Sequence, residues 1–128
     1  MIVRTVEDVA GTPAQVAGDL WTSTRLLLRG DGMGFTMTET VIEPGMDEAL
    51  WYKHHLEACV CVEGEAEVED LETGDVYQIR PGTLYALDRH DRHRLRSKTR
   101  VRLICVFTPA LRGDETHDED GSYLLPED

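Results

Sequence analysis

Between Gly45 and Gly64 the chain reads GMDEALWYKHHLEACVCVEG. The part from Glu57 to Val62 is a short apolar run that opens on a carboxylate and stops at Glu63-Gly64, which predicts a strand ended by a turn. A second stretch, PGTLYALDRHDRH from Pro81 to His93, places a Pro-Gly turn before another short apolar run and ends on a histidine. Outward from these two, turn signals recur at Gly30-Asp31-Gly32, Pro44-Gly45, Thr73-Gly74-Asp75 and Pro81-Gly82. The segments between them predict strands at Ser23–Arg29, Phe35–Ile42, Glu57–Val62, Glu65–Leu71, Val76–Ile79, Leu84–Leu87 and Val101–Phe107. Short strands at this spacing predict an all-β sandwich or barrel. Only residues 5–18 read as helical, and there is no repeat or linker.

A chain of 128 residues with 41% hydrophobic content builds one core, so a single domain over 1–128 is expected. No basic region followed by an apolar stretch opens the chain, and no run is long enough to cross a membrane, so a cytoplasmic protein is expected. Cys59, Cys61 and Cys105 lie inside apolar runs and read as reduced, buried thiols. The net charge of -12 argues against nucleic acid and anionic membranes as partners.

One segment reverses that charge. Arg89 to Arg102 holds seven of the thirteen basic residues, and from Arg92 onward they occupy even positions, alternating with His93, Leu95, Ser97, Thr99 and Val101. Alternation with period two predicts a half-buried strand or hairpin with a basic outer face, and it turns His93 inward. The same parity turns Arg25 inward beside Ser23 and Leu27, where a guanidinium needs an anionic partner: an internal glutamate or a substrate carboxylate. Tyr85 shares a face with Leu87; a buried tyrosine is ordinarily a core ring with one satisfied hydroxyl. The segment from Leu111 to Asp128 carries seven acids against one arginine, which by charge alone reads as disordered.

The two opening stretches resemble the motifs of the cupin family, the first of which is written G-x5-H-x-H-x3-E-x6-G. Gly45, Glu57 and Gly64 match it, whereas Trp51 and Lys53 stand at the histidine positions. That resemblance implies a jelly-roll β-barrel, with Glu57 and His93 as the two remaining ligands of the usual four. Longer strings, MIVRTVEDVAGT, WTSTRLLL, WYKHHLEACVCVEGEAEVEDLETG, PGTLYALDRHDRHRLR and THDEDGSY, resemble the ectoine synthase family nearly end to end. The likeness implies a cytoplasmic, usually homodimeric cupin that closes N-gamma-acetyl-L-2,4-diaminobutyrate into ectoine with loss of water. It implies an iron site at Glu57, Tyr85 and His93; substrate contacts at Trp21, Arg25, Thr40, Cys105 and Phe107; and catalytic groups among Tyr52, Glu115 and His117. Where many relatives carry Asn or His just before Thr40, this chain has Thr38.

Such residues suit the chemistry. A divalent metal can act as a Lewis acid on the amide carbonyl. Arg25 would hold the substrate carboxylate so that amine and carbonyl meet, and an acid–base group is needed to free the amine and protonate the leaving hydroxyl. The acid and base are left unassigned among Tyr52, Glu115 and His117. A tail from about Gly113 onward is expected to be mobile without substrate and to close as a lid over the mouth, excluding water. The rival readings are a non-catalytic metal- or small-molecule-binding cupin sensor, favoured by the missing histidines, and a cupin oxygenase, disfavoured by the lone histidine ligand.

Overall fold

The computed structural model describes residues 1–113, 115–119 and 121–123. Thr5 caps a single helical turn, α1 (Val6–Val9): its hydroxyl accepts from the Asp8 amide while the Asp8 carboxylate accepts from the Thr5 amide. The helix goes no further. The expected helical stretch over 5–18 is corrected by the chain itself, because Gly11-Thr12-Pro13 breaks it and Gln15–Ala17 forms strand β1 instead.

Nine more strands follow: β2 (Trp21–Leu27), β3 (Thr36–Ile42), β4 (Asp47–Leu50), β5 (Leu56–Glu63), β6 (Ala66–Asp70), β7 (Val76–Ile79), β8 (Leu84–Leu87), β9 (His93–Ser97) and β10 (Val101–Thr108). All seven segments expected as strands are strands, and the alternating basic stretch is β9 and β10 with a turn between them. The sequence missed β1 and β4, which are short and half polar.

All pairings are antiparallel and fall into two sheets, β1-β2-β3-β10-β5-β8 and β4-β9-β6-β7. The core lies between their inner faces, with Cys59, Cys61, Leu103 and Phe107 from one sheet against Ala66, Val68, Ile79 and Leu95 from the other. The expected jelly roll is present as this open sandwich; the sheets do not close into a barrel. On β9, His93, Leu95 and Ser97 are buried while Arg94 and Arg96 stand outward. The basic face is neutralised across the strands: Arg94 pairs with Asp47, Arg96 with Glu69, and Arg102 with Glu39.

After β10 the chain turns back across one end of the sandwich. Leu111 is buried, its amide donating to Thr36 Oγ1 and its carbonyl accepting from Arg29 N. Farther on, Gly121 O accepts from Trp51 N, and Ser122 Oγ accepts from Lys53 N. Acidic composition suggested a disordered tail, but Glu115, Ser122 and Tyr123 are buried. Backbone bonding and one aromatic ring outweigh the charge. The lid expected from Gly113 onward also takes in Asp114, Asp120 and 124–128, which lie outside the described residues.

Candidate active site

Register builds the site. One interior row runs across five strands, from Arg25 on β2 through Thr38, Cys105 and Cys59 to Tyr85 on β8. The neighbouring row places Phe107 opposite Glu57. His93 comes from the other sheet, paired between Leu50 and Asp70. A narrow cavity opens where these rows meet, and its walls include Trp21, Thr40, Tyr52, Glu57, Tyr85, His93, Cys105, Phe107 and His117. Nine of the eleven residues expected at the site thus converge from both sheets and the tail.

Glu57, Tyr85 and His93 fit a divalent cation. Glu57 is buried and makes no ion pair among the described residues; desolvation lifts its carboxyl to about 7, opposed by hydrogen bonds from Cys59 and Cys105. A buried carboxylate without a countercharge is a site that a cation would satisfy. His93 Nδ1 lies 3.0 Å from Asp91 O and must donate to it, which leaves Nε2 with a free lone pair; burial also lowers its pKa, so the ring stays neutral. The set of two oxygens and one nitrogen suits a hard or borderline divalent ion.

Opposite this group stands a second pair. Tyr52 Oη and His117 Nε2 are 2.7 Å apart. Burial raises the Tyr52 phenol well above its usual pKa, and burial followed by the nearby Arg25 lowers His117 to about 4. Near neutrality the phenol therefore keeps its proton and the imidazole keeps its lone pair. Thr38, the departure from the resemblance, is fully buried, and its hydroxyl lies 2.9 Å from that of Thr40, fixing the latter at the wall.

Two expected residues stand elsewhere. Arg25 is 1% exposed and does not border the cavity; among the described residues it makes no ion pair with a glutamate, and it donates instead to the main-chain carbonyls Gly113 O at 2.8 Å and Glu115 O at 2.6 Å. Its Nε approaches Ser23 Oγ at 3.4 Å, and its guanidinium lies over the Tyr123 ring. The Glu115 carboxylate accepts from the amides of Arg112 and Gly113, both at 2.7 Å, so it shapes the turn that Arg25 grips.

Sequence reasoning missed Tyr123. It stacks on His117 at 4.7 Å and contacts Tyr52 and Phe107 at 5.1 and 5.5 Å, closing the cavity from the tail side. An aromatic residue at the end of the acidic string THDEDGSY was the available signal. His55 was missed as well: it is fully buried edge-on to Phe107 and Tyr123, with neither ring nitrogen partnered among the described residues.

Comparison with known proteins bears on this arrangement. The family model described as ectoine synthase matches residues 1–127. An L-ectoine synthase from Desulfatibacillum aliphaticivorans is 52% identical over 130 residues, covering 100% of both chains. The crystal structure of ectoine synthase from P. lautus superposes with a TM-score of 0.88 at 45% identity, covering 99% of this chain and 92% of that one. A cupin domain of a transcriptional regulator from Enterobacter cloacae, at 16% identity and TM-score 0.59, covers 70% of this chain and 97% of its own; it shares the fold alone. A family match from end to end, together with a cavity that gathers nine of the expected residues, places this chain in the ectoine synthase family of hydro-lyases.

Proposed function

We propose that this enzyme closes N-gamma-acetyl-L-2,4-diaminobutyrate into ectoine with loss of water. The observation that carries the reading is the single cavity in which the Glu57, Tyr85 and His93 donors meet the Tyr52–His117 pair. Glu57, Tyr85 and His93 would hold iron as Fe2+, which when bound supplies Lewis-acid polarisation of the substrate's amide carbonyl.

The chain's own residues do the rest. Trp21, Thr40, Cys105 and Phe107 form the walls that fold the substrate so that its amine meets its carbonyl carbon. Arg25 sets positive charge behind the Ser23 and Tyr123 wall, attracting the substrate carboxylate while seating the tail. The amine nitrogen forms a bond to the carbonyl carbon and gives up a proton to the Tyr52–His117 pair. The pair passes that proton to the carbonyl oxygen, making it a hydroxyl; the nitrogen's second proton then follows the same route, delivered from Tyr52 Oη as the C–O bond breaks and the C=N bond forms, and water leaves. The Tyr52–His117 pair ends unchanged. Glu115 acts as a positioning residue, since its carboxylate is bound to the turn. His117 and Tyr123, both from the tail, cover the cavity; a tail that closes over bound substrate keeps water from opposing a dehydration.

The three free thiols suit a reducing cytoplasm. A homodimer is proposed too, supported by the edge strand β8, which pairs only with β5 among the described residues and carries Leu84 64% exposed, and by the exposed apolar residues Met1 and Val3. The decisive assay incubates the iron-loaded protein with the acetylated diamino acid, with and without oxygen, and follows ectoine by NMR. Product in both atmospheres is expected. Binding without product would favour the sensor reading, and a strict need for oxygen the oxygenase.

A further inference from the structure

Beside the oxygen and nitrogen donors lies a group of different chemistry. Cys59 on β5 and Cys105 on β10 are register partners, both buried, and neither is bridged. Glu57, two residues before Cys59, shares their interior face. One Glu57 carboxylate oxygen and the two Sγ atoms lie within 4.8 Å of one another, and all three residues are buried. Ligands sharing one tetrahedral ion, with metal–sulfur bonds of about 2.3 Å and metal–oxygen bonds of about 2.1 Å, stand about 3.5–3.8 Å apart. Small rotations of the three side chains cover the difference. Cys61, the next inward residue on β5, is directed away, its Sγ donating to the carbonyls of Glu63 and Gly64.

We propose that Glu57, Cys59 and Cys105 form a thiolate metal site for a soft divalent ion such as cadmium or zinc, overlapping the Glu57–Tyr85–His93 set at Glu57. Two sulfur donors select thiophilic ions, whereas the oxygen and nitrogen donors do not. Glu57 and Cys105 both border the cavity, so a fourth position faces it. On binding, two metal–sulfur bonds and one metal–oxygen bond form, two S–H bonds break, and both protons pass to solvent; nothing is oxidised or reduced. Because Glu57 belongs to both sets, one ion excludes the other. That exclusion rests on the iron reading above, whereas the thiolate site itself does not.

The test titrates metal-free, full-length protein with Cd2+ under nitrogen and reads the ultraviolet thiolate-to-cadmium charge-transfer band, with stoichiometry from native mass spectrometry. One equivalent and a two-thiolate band are expected. Cys59→Ser and Cys105→Ser, on different strands and each checked for folding by circular dichroism, should halve the band and weaken binding at least about tenfold. Cys61→Ser, Tyr85→Phe and His93→Ala should leave the band intact. No band in the wild type, a full band in either serine variant at Cys59 or Cys105, or loss of the band in His93→Ala would overturn the site. In a separate arm, Cd2+ added to iron-loaded protein should release the iron. Cadmium and iron bound together would refute the overlap, and failure of the protein to load iron at all would sink the iron reading while leaving the cadmium result standing.

Discussion

At the scale of single residues, the Tyr52–His117 contact joins a phenol that burial keeps protonated to an imidazole that burial keeps neutral. Tyr52→Phe removes one oxygen and retains the ring packing against Phe107 and Tyr123. Cyclisation should fall roughly 10²–10⁴-fold, the usual contribution of a positioned acid–base group, while thermal stability drops by about 1 kcal/mol for one lost hydrogen bond; a rate assay and a melting curve on the same sample check both. The His117 pKa sets a pH signature. Its value falls from an ordinary 6.5 to about 4 on folding, so between these values the unfolded chain binds the extra proton. Stability from this group is therefore whole above about 6.5 and is lost as pH falls through 4. Denaturant titrations across that window should show a shallower slope for His117→Asn than for wild type. Equal slopes would mean that His117 titrates normally.

Elements are held by a few backbone contacts that no side-chain pattern reveals. Gly64, in the connection that carries the chain from β5 in one sheet to β6 in the other, has φ +86, and a Cβ there would stand 2.1 Å from Arg100 O. Gly74 has a similar φ of +79 in open space. Gly74→Ala should cost about 1–2 kcal/mol, the left-handed penalty alone, whereas Gly64→Ala adds a backbone clash and should exceed it by at least about 1–3 kcal/mol. Chemical denaturation of the two variants compares them directly. The end of the motif is therefore glycine because Arg100 passes behind it. Arg25 fastens the tail in a similar way. Arg25→Ala orphans the carbonyls of Gly113 and Glu115, at about 1–3 kcal/mol for each, and should expose the tail to protease while iron content stays at the wild-type level. Protection equal to wild type would return Arg25 to a role confined to substrate.

Across the whole molecule, the tail contributes two walls of the cavity, His117 and Tyr123, and its described residues join neither sheet. A chain ending at Arg112 should keep its sandwich and its iron but lose most activity, because the Tyr52 partner and the cover over the cavity leave together. Turnover at the wild-type rate by the truncated protein would remove the tail from the mechanism. Sequence alone determined the strands whose side chains alternate, the inward turn of His93, the buried thiols and the family, because period-two burial and long specific strings are local properties of the chain. It did not reveal β1 and β4, whose few half-polar residues become strands only when β2 and β9 offer partners. Nor did it decide what Arg25 and Glu115 bind, since their partners are main-chain atoms brought near by the tail's path. Composition marked that tail as disordered, but the structure buries Glu115, Ser122 and Tyr123 within it: Tyr123 stacked on His117 and the carbonyls held by Arg25 outweigh charges that can face water. Residue types and spacing specify what can pair along a strand; only the closed fold decides which distant backbone stands within reach.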